Sequence, residues 1–301
     1  MKSKIAEFRI FGKSPVGVFL RINEWGWNHL PASLRNLYPV RSYGHFLHVV
    51  VRRWGNRRQY FGTFFLRNRP QLELMRQLSY QVENAGTLRM AVLGCSNGAE
   101  VYSILATLRT SRPELKIALQ AVDISSDVLE IARRGAYSLT APEFVGERIF
   151  QRMSEAEISR MFNREADEVL VQSWVKEGTT WRVGDVRDPE LLEVLGSQDI
   201  VVANNFLCHM NPVDAEACLR HIARYVRPGG ILIVSGVDLD VRTKVATDEG
   251  WKPVAELVEE VHDGDPSLRR DWPMNYWGLE PLDKKRQNWA VRYAAAFQIG
   301  R

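Results

Sequence analysis

Residues Leu88 to Ser103 read LRMAVLGCSNGAEVYS. The apolar run Met90–Leu93 stops at Gly94, a turn of small residues continues through Gly98, and a helix-forming stretch opens at Ala99. Strand, glycine turn and helix in that order open a nucleotide-binding α/β unit. About twenty residues past the turn, a second apolar run, Ile117 to Val122, ends in Asp123. An acid at the end of the second strand can accept hydrogen bonds from ribose hydroxyls.

Outward from this pair the alternation is regular. Strands are expected at 88–94, 116–123, 199–206 and 231–235, and helices at 99–111, from Ser125 or Ser126 to Gly135, at 189–195 and at 212–226. A further helix begins near Pro70 and ends by Asn84 to Gly86. Residues 136–167 are a longer excursion with one helix near 154–164. Segments 169–174 and 179–183 flank Lys176-Glu177-Gly178 and read as a hairpin. A last strand is expected at 292–299, after a turn-rich aromatic stretch, 264–289, that either covers a site mouth or packs at the sheet edge. Strands alternating with helices imply a mostly parallel sheet covered on both faces, with ligands held at the carboxyl ends of the strands. Gly94, Asp123, Asp185 and Asn205 fall at four such ends.

At 301 residues and 45% hydrophobic, the chain has room for one large domain or two modest ones. No apolar stretch is long enough to cross a bilayer, and Glu7, Arg9 and Lys13 interrupt any signal-peptide core. The three cysteines, Cys95, Cys208 and Cys218, lack metal-type spacing, so neither a metal site nor a disulfide framework is expected, and a reducing cytoplasm is the default. Charge is uneven. Residues 1–70 hold thirteen Lys/Arg against Glu7 and Glu24, a net +11, so the remainder of this +4 chain sums to −7. Residues 1–60 read as irregular, broken by Pro15, Pro31 and Pro39, and rich in aromatic and basic side chains. They suit either a cap paired with the acidic remainder or peripheral contact with an anionic surface. The expected division is a basic, aromatic-rich region over 1–83 and a cofactor-binding domain over 84–301.

The turn at Gly94 is G-x-x-x-G, not the G-x-G-x-x-G of dinucleotide enzymes, and no G-K-[ST] follows it. A close glycine turn without a phosphate suits S-adenosylmethionine, whose tail carries an ammonium and a carboxylate that backbone N–H groups at a helix start can hold. Asp123 would take the ribose hydroxyls, and Asp185 would stand where an adenine amino group needs an acceptor.

Gly94-Cys95-Ser96-Asn97-Gly98-Ala99-Glu100-Val101-Tyr102-Ser103 resembles the G-C-S-T-G-E-E-P-Y-S motif of the chemotaxis-receptor (CheR) methyltransferases. Ala121-Val122-Asp123-Ile124 with Val128-Leu129 and Ala132 to Tyr137 is similar to that family's A-T-D-I…V-L…A-R-x-G-x-Y block. Thr63 to Arg67 resembles its T-x-F-F-R turn, and Val202 to Met210 its F-C-R-N-V-L-I-Y-F strand. The resemblance covers roughly 60–240 and implies a class I (Rossmann-like) methyltransferase with a seven-stranded sheet. It implies cofactor contacts from Thr63, Arg67, Gly94, Ser96, Glu100, Asp123, Ile124, Asp185, Val186, Asn204 and Asn205, with Arg67 reaching the methionine carboxylate. There are departures. Ala99 replaces an acid, Val101 a proline, Asn204 an arginine, and His209 a tyrosine that lies close to the reacting methyl. Neither the family's basic helical N-terminal domain nor its small receptor-docking β-subdomain is evident in the sequence.

The resulting expectation is an S-adenosylmethionine-dependent O-methyltransferase whose acceptor is a small metabolite, a glycan or a protein carboxylate and not a standard chemotaxis receptor. A carboxylate acceptor is already ionised at neutral pH, whereas a hydroxyl needs a base; His209 is then either that base or a pocket-shaping residue. Arg67 and His209 are the candidate catalytic groups. A cofactor-binding regulator with reduced catalysis is one alternative. An RNA methyltransferase is another, and no nucleic-acid partner is expected because Asn204-Asn205-Phe206-Leu207 is not an N-P-P-Y-type motif.

Overall fold

The computed structural model describes residues 15–55, 57–81, 86–141 and 148–300. The chain divides into two compact units. One takes the described residues up to Arg58 together with Pro266–Pro281; the other takes Gln59–Asp265 and the chain from Leu282 onward. The expected boundary at 83/84 falls within 82–85, outside the described residues.

The larger unit holds ten strands among the described residues: β1 (Thr87–Leu93), β2 (Lys116–Asp123), β3 (Ala136–Ser138), β4 (Phe162–Glu165), β5 (Glu168–Val171), β6 (Thr179–Val183), β7 (Gln198–Asn204), β8 (Val226–Ser235), β9 (Lys252–Pro253) and β10 (Ala296–Gln298). Seven form one sheet in the order β6-β2-β1-β7-β8-β10-β9. The pairs β6/β2, β2/β1, β1/β7 and β7/β8 are parallel, and β10 runs antiparallel to both β8 and β9. Every residue of β7 is buried, as a central strand covered on both sides requires. Strand order reverses between β1 and β7, so right-handed crossovers place the two sets of helices on opposite faces. It also opens a crevice at the carboxyl ends of β1 and β7.

The helices follow local rules. Helix Ser126–Arg134 stops where Gly135 turns left-handed and donates to the Ile131 carbonyl. Helix Glu155–Met161 begins with a reciprocal Ser154/Glu157 capping box, and Pro212–Ala223 begins with Asn211 accepting from two backbone N–H groups, devices each worth about 1 kcal/mol. Helix Arg69–Gln81 presents Leu72, Leu74, Met75 and Leu78 to the core, as its period predicts, and packs on Ala99–Ser111. Its expected stop at Asn84 to Gly86 falls mostly within 82–85, outside the described residues.

Three expectations are corrected. Segments 169–174 and 179–183 do not form a hairpin. β5 pairs with β3 and β4 in a separate three-stranded antiparallel sheet, whereas β6 runs parallel to β2 at the edge of the main sheet. A helical turn, Ser173–Lys176, separates them, and Gly178 redirects the chain. With φ 63° and an ideal Cβ only 2.3 Å from the Ile117 carbonyl oxygen, that position admits only glycine beside β2. The same sheet shows that a small β-subdomain is present. Its strands are three and four residues long, too short to announce themselves by alternation.

The smaller unit is not irregular. It contains helices Pro15–His29, Ala32–Arg35 and Tyr38–Trp54. Pro39 occupies a first-turn position, Pro31 precedes a helix and Pro15 is the first described residue of one, so prolines that read as breaks do not interrupt these helices. Trp27, Leu47 and Trp272 form the core of this unit, with Trp27 and Trp272 edge-to-face at 5.5 Å. Thus Trp272, from the aromatic stretch 264–289, packs into the helical unit. No described helix is long and apolar enough to cross a membrane.

Candidate functional site

The turn after β1 sets the floor of the site. Gly94 has φ 71° and an ideal Cβ there would lie 2.6 Å from the Phe206 ring, so a side chain is excluded both by conformation and by the start of the turn after β7. Ser96 is also left-handed, at φ 50°. Two bonds hold it: its N–H donates to Asp123 Oδ2 at 2.8 Å, and its Oγ donates to the Phe61 carbonyl at 2.6 Å. Asp123 is 5% exposed at the end of β2, and its Oδ1 accepts the Ser125 N–H at 3.1 Å. Burial raises its carboxyl above the ordinary range, partly offset by the Ser125, Ser96 and Ile124 N–H groups. Ile124 beside it is 53% exposed, an uncovered apolar side chain at a strand end.

Across the crevice, Asn204 at the end of β7 is a hub. Its Nδ2 donates to Glu100 Oε1 at 2.7 Å and to Gln71 Oε1 at 2.8 Å, while its Oδ1 accepts from Ser235 Oγ at 2.8 Å and from Gln71 Nε2 at 3.5 Å. Glu100 stands in the first turn of helix Ala99–Ser111. Burial raises its carboxyl, and the Asn204 bond and the nearby Arg67 cation pull it back. Asn205 takes φ 61° at this corner, its N–H donating to the Ser235 carbonyl at 3.0 Å.

Arg67 ends a turn that is itself tied to the helix. Leu66 is left-handed at φ 53°, and its N–H donates to Ser103 Oγ at 2.9 Å. Arg67 Nε donates to Asp265 Oδ2 at 2.7 Å, and the guanidinium lies over the Phe64 ring, 5.9 Å from its centroid. Its two Nη nitrogens meet no hydrogen-bond partner among the described residues. Thr63, at the start of the same turn, is half-buried.

The remaining candidates are placed differently. Asp185 follows β6, but both its oxygens are taken by Arg187, with Nε at 3.0 and 3.1 Å and Nη2 at 2.5 Å, and this pairing holds its carboxyl below the usual range. The expected open acceptor for an amino group is therefore already engaged by a cation two residues away. Val186 is buried and its carbonyl accepts from Tyr225 Oη at 3.1 Å. His209 closes the short 3₁₀ turn Leu207–His209, its ring 6.2 Å from that of Tyr60. Burial raises the Cys95 thiol well above its usual range, so this cysteine stays protonated. Among the described residues no cluster of His, Cys, Asp and Glu could hold a metal ion.

The structure thus gathers Arg67, Ser96, Glu100, Asp123 and Asn204 around the β1/β7 crevice, with Gly94 as its floor. Sequence reading missed Gln71, Ser235 and Asp265, which carry no local motif and matter only through contacts across the fold, and gave no role to Ser103, the last residue of the Gly94–Ser103 motif. The sequence profile described as "CheR methyltransferase, SAM binding domain" matches residues 62–244, more than half of the chain. This chain belongs to the CheR methyltransferase family.

The CheR match, over 62–244, takes in the crevice, the Gly94–Gly98 turn and every candidate residue named from the sequence. Among similar curated proteins is the "Probable biofilm formation methyltransferase WspC" of Pseudomonas aeruginosa, 24% identical over 64% of this chain and 44% of that protein. Another is the "Chemotaxis protein methyltransferase" of Vibrio parahaemolyticus, 29% identical over 46% of this chain and 50% of that protein. The chain spans about half the length of the curated relatives it matches. A solved magnesium protoporphyrin IX methyltransferase from Synechocystis PCC 6803 is similar at TM-score 0.36 and 15% identity, covering 62% of this chain and 71% of that one.

Proposed function

We propose that this chain is an S-adenosylmethionine-dependent O-methyltransferase acting on a small metabolite, a glycan or a protein carboxylate rather than on a standard chemotaxis receptor. One observation carries the cofactor part: Arg67, whose Nη donors meet no partner among the described residues, and a half-buried carboxylate, Glu100, stand at the strand ends within electrostatic reach of each other, opposite a buried carboxylate, Asp123. This donor set fits a zwitterionic amino-acid tail joined to a nucleoside. Arg67 Nη atoms would hold the tail carboxylate, Glu100 its ammonium, Asp123 the ribose hydroxyls, and Ile124 would cover the base. Thr63, Asn205 and the Ser96 turn complete the wall that the CheR resemblance assigns to the cofactor.

When bound, S-adenosylmethionine supplies an electrophilic methyl group on a sulfonium. The chain's own residues then align and desolvate. Asn204 fixes Glu100, Ser103 fixes the Arg67 turn, and Phe206 packs against the glycine floor. A carboxylate acceptor needs no base, so His209 with Tyr60 serves as an aromatic wall on the acceptor side; for a hydroxyl acceptor its imidazole takes the proton. His209 in place of the family tyrosine, and Asn204 in place of the arginine, are what favour a different acceptor.

The test is labelled methyl transfer from S-adenosylmethionine into a cell extract, divided into protein, lipid, nucleic-acid and small-molecule fractions. Label in the small-molecule or protein fraction, or on glycan released from the protein and lipid fractions, abolished by Asp123→Ala, is expected. Label chiefly in nucleic acid, or no binding of S-adenosylhomocysteine by calorimetry, refutes the proposal.

A further inference from the structure

Arg67 is not held by its own turn alone. Asp265, 3% exposed in its side chain, accepts from Arg67 Nε on Oδ2 at 2.7 Å and from Arg152 Nη2 on Oδ1 at 2.9 Å. Arg152 Nη1 in turn donates to the main-chain carbonyl of Arg67 at 2.6 Å. The Arg152 guanidinium lies 4.6 Å from the centroid of the Phe64 ring, and Arg67 also reaches that ring, at 5.9 Å. Side chain and backbone of residue 67 are thus tied to one carboxylate–guanidinium pair and one aromatic face.

Two consequences follow from charge and geometry. The bond from Nε fixes the guanidinium plane and leaves the Nη edge to face a ligand, the edge suited to a two-pronged carboxylate contact. Two cations share one buried carboxylate, so the trio keeps one surplus positive charge. Glu100 brings one negative charge to the same place, and the group of four is neutral. A zwitterionic tail adds no net charge, and each of its ends meets the opposite sign. Without Asp265, Arg67 keeps the attraction to Glu100, the carboxylate that already feels its charge, and the two poles would close on each other.

We infer that Asp265, with Arg152, is a positioning pair that aims Arg67 at the carboxylate of the bound amino-acid tail and keeps it off Glu100. Asp265 lies outside the matched domain, 62–244, so this support is supplied by the C-terminal part of the chain. The inference rests on the cofactor reading above and specifies how its carboxylate pole is held.

The discriminating experiment compares two ligands on the full-length chain by calorimetry. S-Adenosylhomocysteine carries the amino-acid tail; 5′-methylthioadenosine carries the same nucleoside and sulfur without it. Asp265→Asn should weaken S-adenosylhomocysteine by about tenfold or more, the scale of one lost charge-assisted contact, and leave 5′-methylthioadenosine within about twofold. Arg152→Gln, which removes the surplus charge and leaves Asp265 in place, should show the same selectivity and serves if Asp265→Asn does not fold. Equal weakening of both ligands, or no weakening of either, overturns the inference. Failure of the unmodified protein to bind S-adenosylhomocysteine overturns the cofactor reading instead.

Discussion

Replacing Asn204 with alanine tests whether the hub at the end of β7 is a real determinant of the site. The substitution removes a bond to the Glu100 carboxyl at 2.7 Å, charge-assisted where that group is ionised, a bond to Gln71 at 2.8 Å and the acceptor of Ser235 Oγ at 2.8 Å. A hydrogen bond to a charged group contributes about 1.5–3 kcal/mol and a neutral one about 1, so the loss is about 3–5 kcal/mol. For a unit of this size each kcal/mol is worth about 2–4 °C, which gives a fall in Tm of roughly 6–20 °C. The effect depends on pH. In the unaltered protein Glu100 already titrates above its ordinary value because burial outweighs the Asn204 bond and the Arg67 cation. A carboxyl whose folded value is raised contributes stability at low pH and loses it as the pH climbs through that folded value. Removing Asn204 raises Glu100 further, so the destabilisation should be smaller at pH 5 than at pH 8. Differential scanning calorimetry across that range provides the check, with Ser235→Ala, expected to cost about 1 kcal/mol, as the single-bond control. A fall under about 3 °C, or a gap that does not change with pH, would refute the hub as described.

Three further outcomes follow from the same geometry. Asp123→Asn can keep only one of the two backbone N–H bonds through its amide oxygen and sets an NH2 against the other donor, so it should cost about 1–3 kcal/mol, a fall in Tm of about 2–12 °C, and weaken S-adenosylhomocysteine at least about tenfold by titration calorimetry; unchanged affinity would remove Asp123 from the site. Gly94→Ala forces φ 71° on a residue with a Cβ 2.6 Å from Phe206, and should cost about 1–3 kcal/mol by urea denaturation. Ser103→Ala orphans the buried N–H of left-handed Leu66, so it should cost about 1–3 kcal/mol and raise the Kd for S-adenosylhomocysteine through Arg67, while leaving the affinity for a tail-less nucleoside unchanged.

What was legible in the sequence was the part written in short-range pattern. The elements Ala99–Ser111, Lys116–Asp123 and Pro189–Leu195 match expectation because burial period, caps and glycine stops all lie within one segment. The hairpin failed because strand pairing is a non-local choice: β5 and β6 each look like a strand, and only the open edge of β2 decides that β6 leaves its neighbour. The helices of residues 15–54 were hidden because proline has two meanings, and only the flanking turns tell a break from a first-turn position. Candidate residues with motif context could be named by resemblance, whereas Gln71, Ser235 and Asp265 are defined solely by what they touch.

Asp123 and Asp185 show why position at a strand end is not sufficient. Both are acids just past a parallel strand, and both were assigned as acceptors on the same ground. The structure distinguishes them by what compensates the charge. Asp185 has a guanidinium on both oxygens, so its carboxyl is pulled down and its negative charge is already neutralised within the chain. Among the described residues Asp123 is compensated by backbone N–H groups and not by a cation, and its carboxyl is pushed up by burial. A buried acid that is costly to ionise gains most from a ligand that supplies two hydroxyl donors at once. The ribose-facing role proposed above therefore rests on Asp123 and not on Asp185. Any contact from Asp185 to a base must compete with Arg187, so Arg187→Ala should strengthen that contact if it exists and leave S-adenosylhomocysteine affinity unchanged if it does not.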